Sequence, residues 1–328
     1  MLDSHPDLAL PGLSPELSSD DGLPIPTDVA GVYLFPESFE AIIALLRRGI
    51  AAMAADEPFR RLAIPPVISR RAIEHAGYVK TFPQLLGTVH SYGGTSKQWG
   101  RLSPLIEEGG EWHTDQRISD VVLLPAACYP VYASLSGRTL TGPAKFAVDA
   151  NCFRQEATSE IGRLRSFRMS ELVTASSEEY CLRWRGRWLD RVADWFTAMG
   201  LDVSIDVADD PFFGPGRKLF QAAQRVQELK LELRVPVLGD AATGTVQAIA
   251  SANYHKDHFG EVYGFRAGSA SAASVSSSES SEQAPLGHTS CMAFGLERIA
   301  LALINIHGAR SDRWSPAVRS AAEGDDRD

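Results

Sequence analysis

The sequence predicts an α+β fold, an antiparallel sheet flanked by helices, and two observations carry that prediction. Glu37 to Asp56 (ESFEAIIALLRRGIAAMAAD) and Glu178 to Met199 repeat apolar residues at helical spacing. Residues 118–135 and 143–154 are β-branched or apolar runs punctuated by Pro and Gly, as neighbouring antiparallel strands are.

In chain order, residues 1–27 are rich in Pro, Ser and Asp. They have no basic start, apolar run or small-residue cleavage site, so they read as a flexible tail and not as a signal peptide. Residues 28–310 follow as one folded domain. It opens with the first long helix, then the polar-to-apolar segment FRRLAIPPVISRRAIEHAGY (59–78) and the two strand regions. The helix from Glu178 ends where Gly200 supplies a C-terminal cap. LDVSIDVADDPFF reads as a strand with its exit loop. In GRKLFQAAQRVQELKLELRVPVL (216–238) the first part has helical spacing, and Glu232 to Leu238 extends as a strand. Arg217, Lys218, Arg225, Lys230 and Arg234 give this element a cationic surface, which is either a solvated face or a docking surface for a partner. Residues 268–285 (GSASAASVSSSESSEQAP) cannot bury enough apolar area to offset their ordering entropy and read as a disordered Ser/Ala insertion, with an active-site lid as the alternative. Residues 311–328 read as a flexible C-terminal tail.

Composition narrows the function. The 328 residues are 44% hydrophobic and 22% charged, the balance of a soluble globular protein, and no run approaches the roughly eighteen apolar residues of a membrane helix. Four cysteines without an export signal are expected to be reduced thiols in the cytoplasm, with Cys152 and Cys181 as small buried side chains. The net charge of −9 argues against broad contact with a phosphate backbone.

Three segments carry chemistry: LLPAACYPVY (123–132), FRQEATSEIGRLRSFRMSELV (153–173) and CMAFGLERIALAL (291–303). Together they resemble the class II aminoacyl-tRNA synthetases, and among them the seryl group. FRQE followed by GRLRSF resembles the strand, loop and strand of the class II ATP motif. GLERIALAL resembles the third motif, a helix opening with an arginine. Segment 59–78 resembles a degenerate first motif, with Pro65 and Pro66 at the proline of its dimer strand, which implies a homodimer. The likeness runs from about residue 57 to 306. Where ordinary seryl enzymes have a TxE turn, this chain has Ala126-Ala127-Cys128. That exchange resembles the zinc-dependent seryl enzymes of methanogens and, more closely, their short bacterial relatives, the amino acid:[carrier protein] ligases.

The resemblance implies one Zn2+ per chain on Cys128, Glu171 and Cys291, three protein ligands with a fourth position open for the substrate amine. It also implies that Arg154 clamps the α-phosphate and the substrate carboxylate and that Glu156 reads the adenine edge. Arg163 and Arg165 then meet the β- and γ-phosphates, Phe167 stacks on adenine, and Arg298 covers its other face and the γ-phosphate. Planar, permanently charged guanidinium forks suit such oxygens. Gln247 departs from the pattern, because it falls where the seryl group has a glutamate for magnesium, so Mg2+ accompanies ATP with its protein ligands unassigned. His255, Asp257 and His258 form a nearby cluster, read as hydrogen-bonding residues of a strand end and not as ligands. The expected activity is ATP-dependent activation of a small amino acid, glycine or alanine favoured. The product then passes to the phosphopantetheine thiol of an acidic carrier protein docked on 216–238. The alternatives are a zinc-dependent seryl-type tRNA synthetase, disfavoured because no RNA-binding arm precedes the core, and a non-catalytic paralogue, disfavoured by the intact ATP residues.

Overall fold

The computed structural model describes residues 22–156, 161–237, 246–268 and 284–324. A two-stranded ribbon, β1 (Ile25–Pro26) and β2 (Tyr33–Leu34), leads into α1 (Glu37–Met53). β3 (Arg60–Ala63) and β4 (Val67–Ser69) flank the Pro65-Pro66 pair, and short helices α2 (Arg70–His75) and α3 (Tyr78–Thr81) follow. β5 (Thr88–Tyr92) and β6 (Gln116–Leu123) pair across a connection that holds α4 (Ser96–Glu107). α5 (Tyr129–Ser134) and β7 (Thr139–Leu140) precede the long strands β8 (Ala144–Phe153) and β9 (Ser166–Ser176). The chain continues through α6 (Glu178–Ala198), β10 (Ser204–Val207), α7 (Arg217–Val226), β11 (Lys230–Val235) and β12 (Gln247–Tyr254). It finishes with α8 (His258–Tyr263), β13 (Arg266–Ala267), β14 (His288–Gly295), α9 (Leu296–His307) and α10 (Pro316–Glu323).

Among the described residues, seven strands form the main sheet in the order β10-β11-β12-β14-β9-β8-β3. Every pairing is antiparallel except that of β3, the outermost strand, with β8. The register aligns residues across five strands. One row runs Glu232, Ser251, Ala293, Glu171 and Val148, and the next runs Lys230, Asn253, Cys291, Val173 and Phe146. Directly paired residues point to the same side of a sheet, so both rows share one face.

The opposite face is covered by helices. α6 starts where the Ser177 side chain accepts from the Tyr180 N–H, with Glu178 and Glu179 favourably placed in its first turn. Its inner stripe of Cys181, Trp184, Trp188, Val192, Trp195 and Phe196 follows the 3.6-residue period. α1 presents Phe39, Ile42, Leu46 and Ile50 to the same core, and α9 is buried over most of its circumference. Glu57 ties the layers together by accepting from the indole N–H groups of Trp184 (3.3 Å) and Trp188 (3.1 Å) and pairing with Lys145 at 2.7 Å.

Three expectations are corrected. Residues 129–134 form helix α5 and not part of a strand. Pro130 sits in its first turn, where a missing N–H costs nothing, and burial of Val131 and Tyr132 overrides their β preference. Residues 22–27 do not belong to a tail, since Leu23 packs on the core and Ile25 pairs with Leu34; residues 1–21 lie outside the described residues. Residues 311–324 are likewise folded: a 3-10 turn leads to buried Trp314, Ser315 caps α10, and Ala322 is buried. The Trp195 indole donates to the Ala321 carbonyl at 2.8 Å, and a Cβ on Gly49 of α1 would stand 2.2 Å from the Ala322 carbonyl oxygen. This packing couples segments more than 100 residues apart, so no local pattern announces it. The bulk of the Ser/Ala insertion, residues 269–283, lies outside the described residues.

The C-terminal segment is therefore expected to be structural. Trp314→Ala should destabilise the protein by about 3–5 kcal/mol, the usual cost of emptying a buried aromatic site, as read by urea denaturation. An unchanged denaturation midpoint would return this segment to a tail.

Candidate active site

The loop between β8 and β9, together with β9, β11, β12, β14 and the start of α9, lines an open cavity of about 140 Å³. Arg154, Glu156, Arg163, Phe167 and Arg298, distant in sequence, all line it. Antiparallel pairing of β8 with β9 brings the first four together, and the turn from β14 into α9 delivers the fifth.

Arg154 and Arg298 are held by backbone carbonyls. Arg154 donates from Nε to the Pro125 carbonyl (3.3 Å) and lies over the Phe167 ring at 5.4 Å. Arg298 donates from Nε to Gly162 (2.8 Å) and from Nη1 to Ala248 (3.0 Å). Burial, with Arg163 and Arg154 as like-charged neighbours, pushes the Arg298 guanidinium down to about 10. A pocket that penalises its own cations in this way is prepared for an anionic guest. Two expected residues do not line the cavity. Arg165 instead bonds through its backbone to Gly31 and Arg154. Gln247 is buried behind Gly162, where a Cβ would stand 2.3 Å from the Gln247 Oε1, so that glycine lets loop and strand touch.

Cys128, Glu171 and Cys291 come together at the deep end of this face, all buried, with one ligand atom of each within 4.8 Å of the others. Cys128 caps α5, Glu171 lies in mid β9, and Cys291 lies on β14 two residues from Ala293, the partner of Glu171. Glu171 Oε1 accepts from the Ala127 N–H (3.2 Å), whereas Oε2 is buried with no hydrogen-bond partner. The three groups cannot all be ionised without a cation. Burial and the Cys291 charge push the Glu171 carboxyl up to about 8, and the bond to Cys291, with burial, raises the Cys128 thiol well above its usual range. The Cys291 thiol is pushed well below its usual range by the Cys128 thiol and then, against burial, by His255 and Asn253. Two sulfurs and a carboxylate with one orphaned buried oxygen fit a divalent metal such as zinc.

The sequence reading missed several groups. Asn253 donates to Cys291 Sγ at 3.3 Å; His255, which the sequence did single out as a hydrogen-bonding residue, has its Nε2 4.0 Å from that sulfur and borders the triad without being among its three ligand residues. Glu297, in the GLERI turn, accepts from the backbone and side chain of Arg168 at 2.7–3.0 Å, and Arg168 also holds Glu40. This pair fastens α9 to β9, and a carboxylate in the first turn of an otherwise apolar helix was its available signal. A chain of ring contacts runs from Phe220 on α7 through Phe212, Phe82, Tyr78, Tyr129 and Phe259 to Tyr132. Lys230 corrects an expectation. It is not on an exposed docking surface, because its side chain is largely buried and lines the cavity, 2.8 Å from Asp210 and 3.2 Å from Glu232. The strand alternation of β11 turns it to the site face, which the charge run alone concealed.

Comparison with known proteins follows the same lines. No family model matches the chain. The amino acid–[acyl-carrier-protein] ligases 1 and 2 of Bradyrhizobium diazoefficiens are each 35% identical to it, over 88% of this chain and 84% and 82% of theirs. A type-2 serine–tRNA ligase of Methanocaldococcus jannaschii is 27% identical over 60% of this chain and 36% of that protein. Among solved structures, the M. kandleri seryl-tRNA synthetase, crystallised with A. aeolicus tRNASec, matches with a TM-score of 0.74 at 18% identity, over 92% of this chain and 58% of that one. The fold is thus the class II seryl-tRNA synthetase catalytic core. Identity at this level across most of both chains places the protein in the amino acid–[acyl-carrier-protein] ligase family, and it is an enzyme of the ligase class.

Proposed function

We propose that the protein uses ATP to activate a small amino acid and passes it to the thiol of a phosphopantetheine arm on a carrier protein. The observation that carries this reading is the buried Cys128–Glu171–Cys291 triad on the same sheet face as an arginine-lined cavity. In the first step a carboxylate oxygen of the amino acid bonds to the α-phosphorus, the α–β bridge bond breaks, and pyrophosphate leaves. Arg154 steadies the charge at the α-phosphate, while Arg163 and Arg298 steady the leaving phosphates. Phe167 and Glu156 orient the adenine. Such preorganised donors act most strongly where charge builds up in the transition state. In the second step the arm's sulfur bonds to the acyl carbon, the bond to AMP breaks, and the thiol proton leaves to solvent.

Cys128, Glu171 and Cys291 would hold the zinc, which when bound supplies an open coordination position that selects a free α-amine. The protein itself sets the size limit. Buried Tyr132 and Phe259 stack with ring centroids 4.0 Å apart beside the triad, and small residues, Ala250, Ser251 and Ala293, form the adjoining wall. Glycine or alanine fits this enclosure best, with serine next.

Docking of the carrier on α7 rests on its outer face. Arg217 and Lys218 are exposed there beside Leu219, Phe220 and Val226, which are 73%, 56% and 84% exposed. Arg225 pairs with Asp209 and so offers less free charge.

Elemental analysis should find about one zinc per chain, absent from Cys128→Ser and Cys291→Ala proteins; full retention in both would remove the triad from the site. In amino-acid-dependent pyrophosphate exchange, Arg154→Ala and Arg298→Ala should each lose about a hundredfold to a thousandfold in rate with unchanged circular dichroism. A loss of tenfold or less would place the nucleotide elsewhere. Reversing the charges of Arg217 and Lys218 should slow transfer to an acidic carrier yet spare exchange. Transfer by the unaltered protein should weaken with salt, since exposed charges are screened beyond about 8 Å at physiological ionic strength. Equal transfer by both proteins would mean that α7 is a solvated face.

A further inference from the structure

Lys230 is a buried cation that the steps above leave without a role. Its ammonium has three donors, of which Asp210 Oδ1 takes one at 2.8 Å, while Glu232 Oε1 stands 3.2 Å away as an ion-pair partner. Asp210 is itself fixed. Its N–H donates to Gln224 Oε1 (2.7 Å), and Gln224 Nε2 donates back to Asp210 Oδ2 (2.8 Å), so α7 clamps the loop that clamps the lysine. Burial works against charge on Lys230, but Asp210 and then Glu232 outweigh it and keep the ammonium above its ordinary range.

Its place along the site is specific. On β12 the Ala248 carbonyl holds Arg298 at one end, and Asn253 touches Cys291 Sγ at the other. Lys230 pairs with Asn253, so it stands at the triad end, two strands or about 10 Å from Cys291 along the row. Arg154 lies close enough for its charge to be felt by both Asp210 and Lys230. The two cations thus line the stretch of cavity nearest the triad, whose own residues are buried beyond the lining. An α-amino acid whose amine lies at the triad has its carboxylate one carbon away, in that stretch.

We propose that Lys230 is a second substrate-binding cation, using a donor not taken by Asp210 to hold the carboxylate of the amino acid beside Arg154, with Asp210 and Glu232 fixing its reach. This rests on the reading of the site as one that activates amino acids. The bland alternative is an ion pair that merely ties the loop around Asp210 to β11.

The test is calorimetric, on zinc-loaded full-length protein saturated with a non-hydrolysable ATP analogue. Alanine is compared with alaninol, which keeps the amine and methyl group but lacks the carboxylate. Lys230→Met alone would strand two carboxylates, so the diagnostic protein is the Lys230→Met/Asp210→Asn double variant, which removes the hydrogen-bonded pair together and leaves only Glu232 without its partner. It should bind alanine about tenfold or more weakly, as expected for loss of a charge-assisted hydrogen bond, while affinities for alaninol and the ATP analogue stay within about twofold. Lys230→Arg should keep most of the preference for alanine. An unchanged alanine-to-alaninol ratio in the double variant, or an equal loss for the ATP analogue, would overturn the assignment and leave the ion pair structural. If the unaltered protein binds the nucleotide but no small amino acid, the activation reading itself falls.

Discussion

Everything chemical in this protein depends on the register of five neighbouring antiparallel strands. Lys230 and Glu232, Ser251 and Asn253, Ala293 and Cys291, and Glu171 share a face only because β11, β12, β14 and β9 pair as they do. Side chains alternate with a period of two, so a slip of one residue in β14 would bury Cys291 among the tryptophans of α6 and turn Met292 or Phe294 toward the nucleotide. The helix layer guards against such a slip. Met292, Phe294 and Leu172 belong to the large apolar cluster beneath α1, α6 and α9, and moving them would expose that surface to polar groups. Arg168 and Glu297 add a polar lock at the point where β9 meets α9, so Arg298 inherits its position from the neighbouring Glu297.

The same face is an electrostatic compromise. Arg154, Arg163, Arg298 and Lys230 crowd one cavity, and the protein holds them there with carbonyl oxygens and a few carboxylates instead of full neutralisation. At its deep end the sign reverses, and two sulfurs and a carboxylate compete for protons within a few ångströms. Neither half is comfortable without a guest. An anion relieves one and a cation the other, which suits a site meant to assemble two substrates of opposite local charge.

How much of this was legible in the sequence varies with range. The two long helices and the β8–β9 pair were readable because their apolar periods are strong and local. The triad has no spacing signature. Cys128, Glu171 and Cys291 became visible only through the segments around them, and their convergence is a property of strand order. Lys230 was misplaced because it was grouped with the basic residues of α7 although it opens β11, and nothing local distinguishes it as the one that turns inward. α5 and α10 were missed for the complementary reason: short segments take their conformation from what they pack against, here Phe259 beside Tyr132 and α1 beside Ala322. Residues that anchor others, such as Glu297 and Asp210, carry no motif because their partners are remote.

The distribution of indoles has a practical meaning for optical work on this enzyme. Trp184, Trp188, Trp195 and Trp314 all sit in the helix layer, Trp99 and Trp112 stand exposed on the excursion between β5 and β6, and none of the six borders the cavity. Four of the six indoles therefore gauge how the back of the sheet is packed, and the other two answer to solvent. Phe167 is the aromatic ring that lines the cavity, and the nearby phenols of Tyr78, Tyr129 and Tyr132 are all pushed upward by burial. The buried tryptophans thus report on the side of the main sheet away from the chemistry.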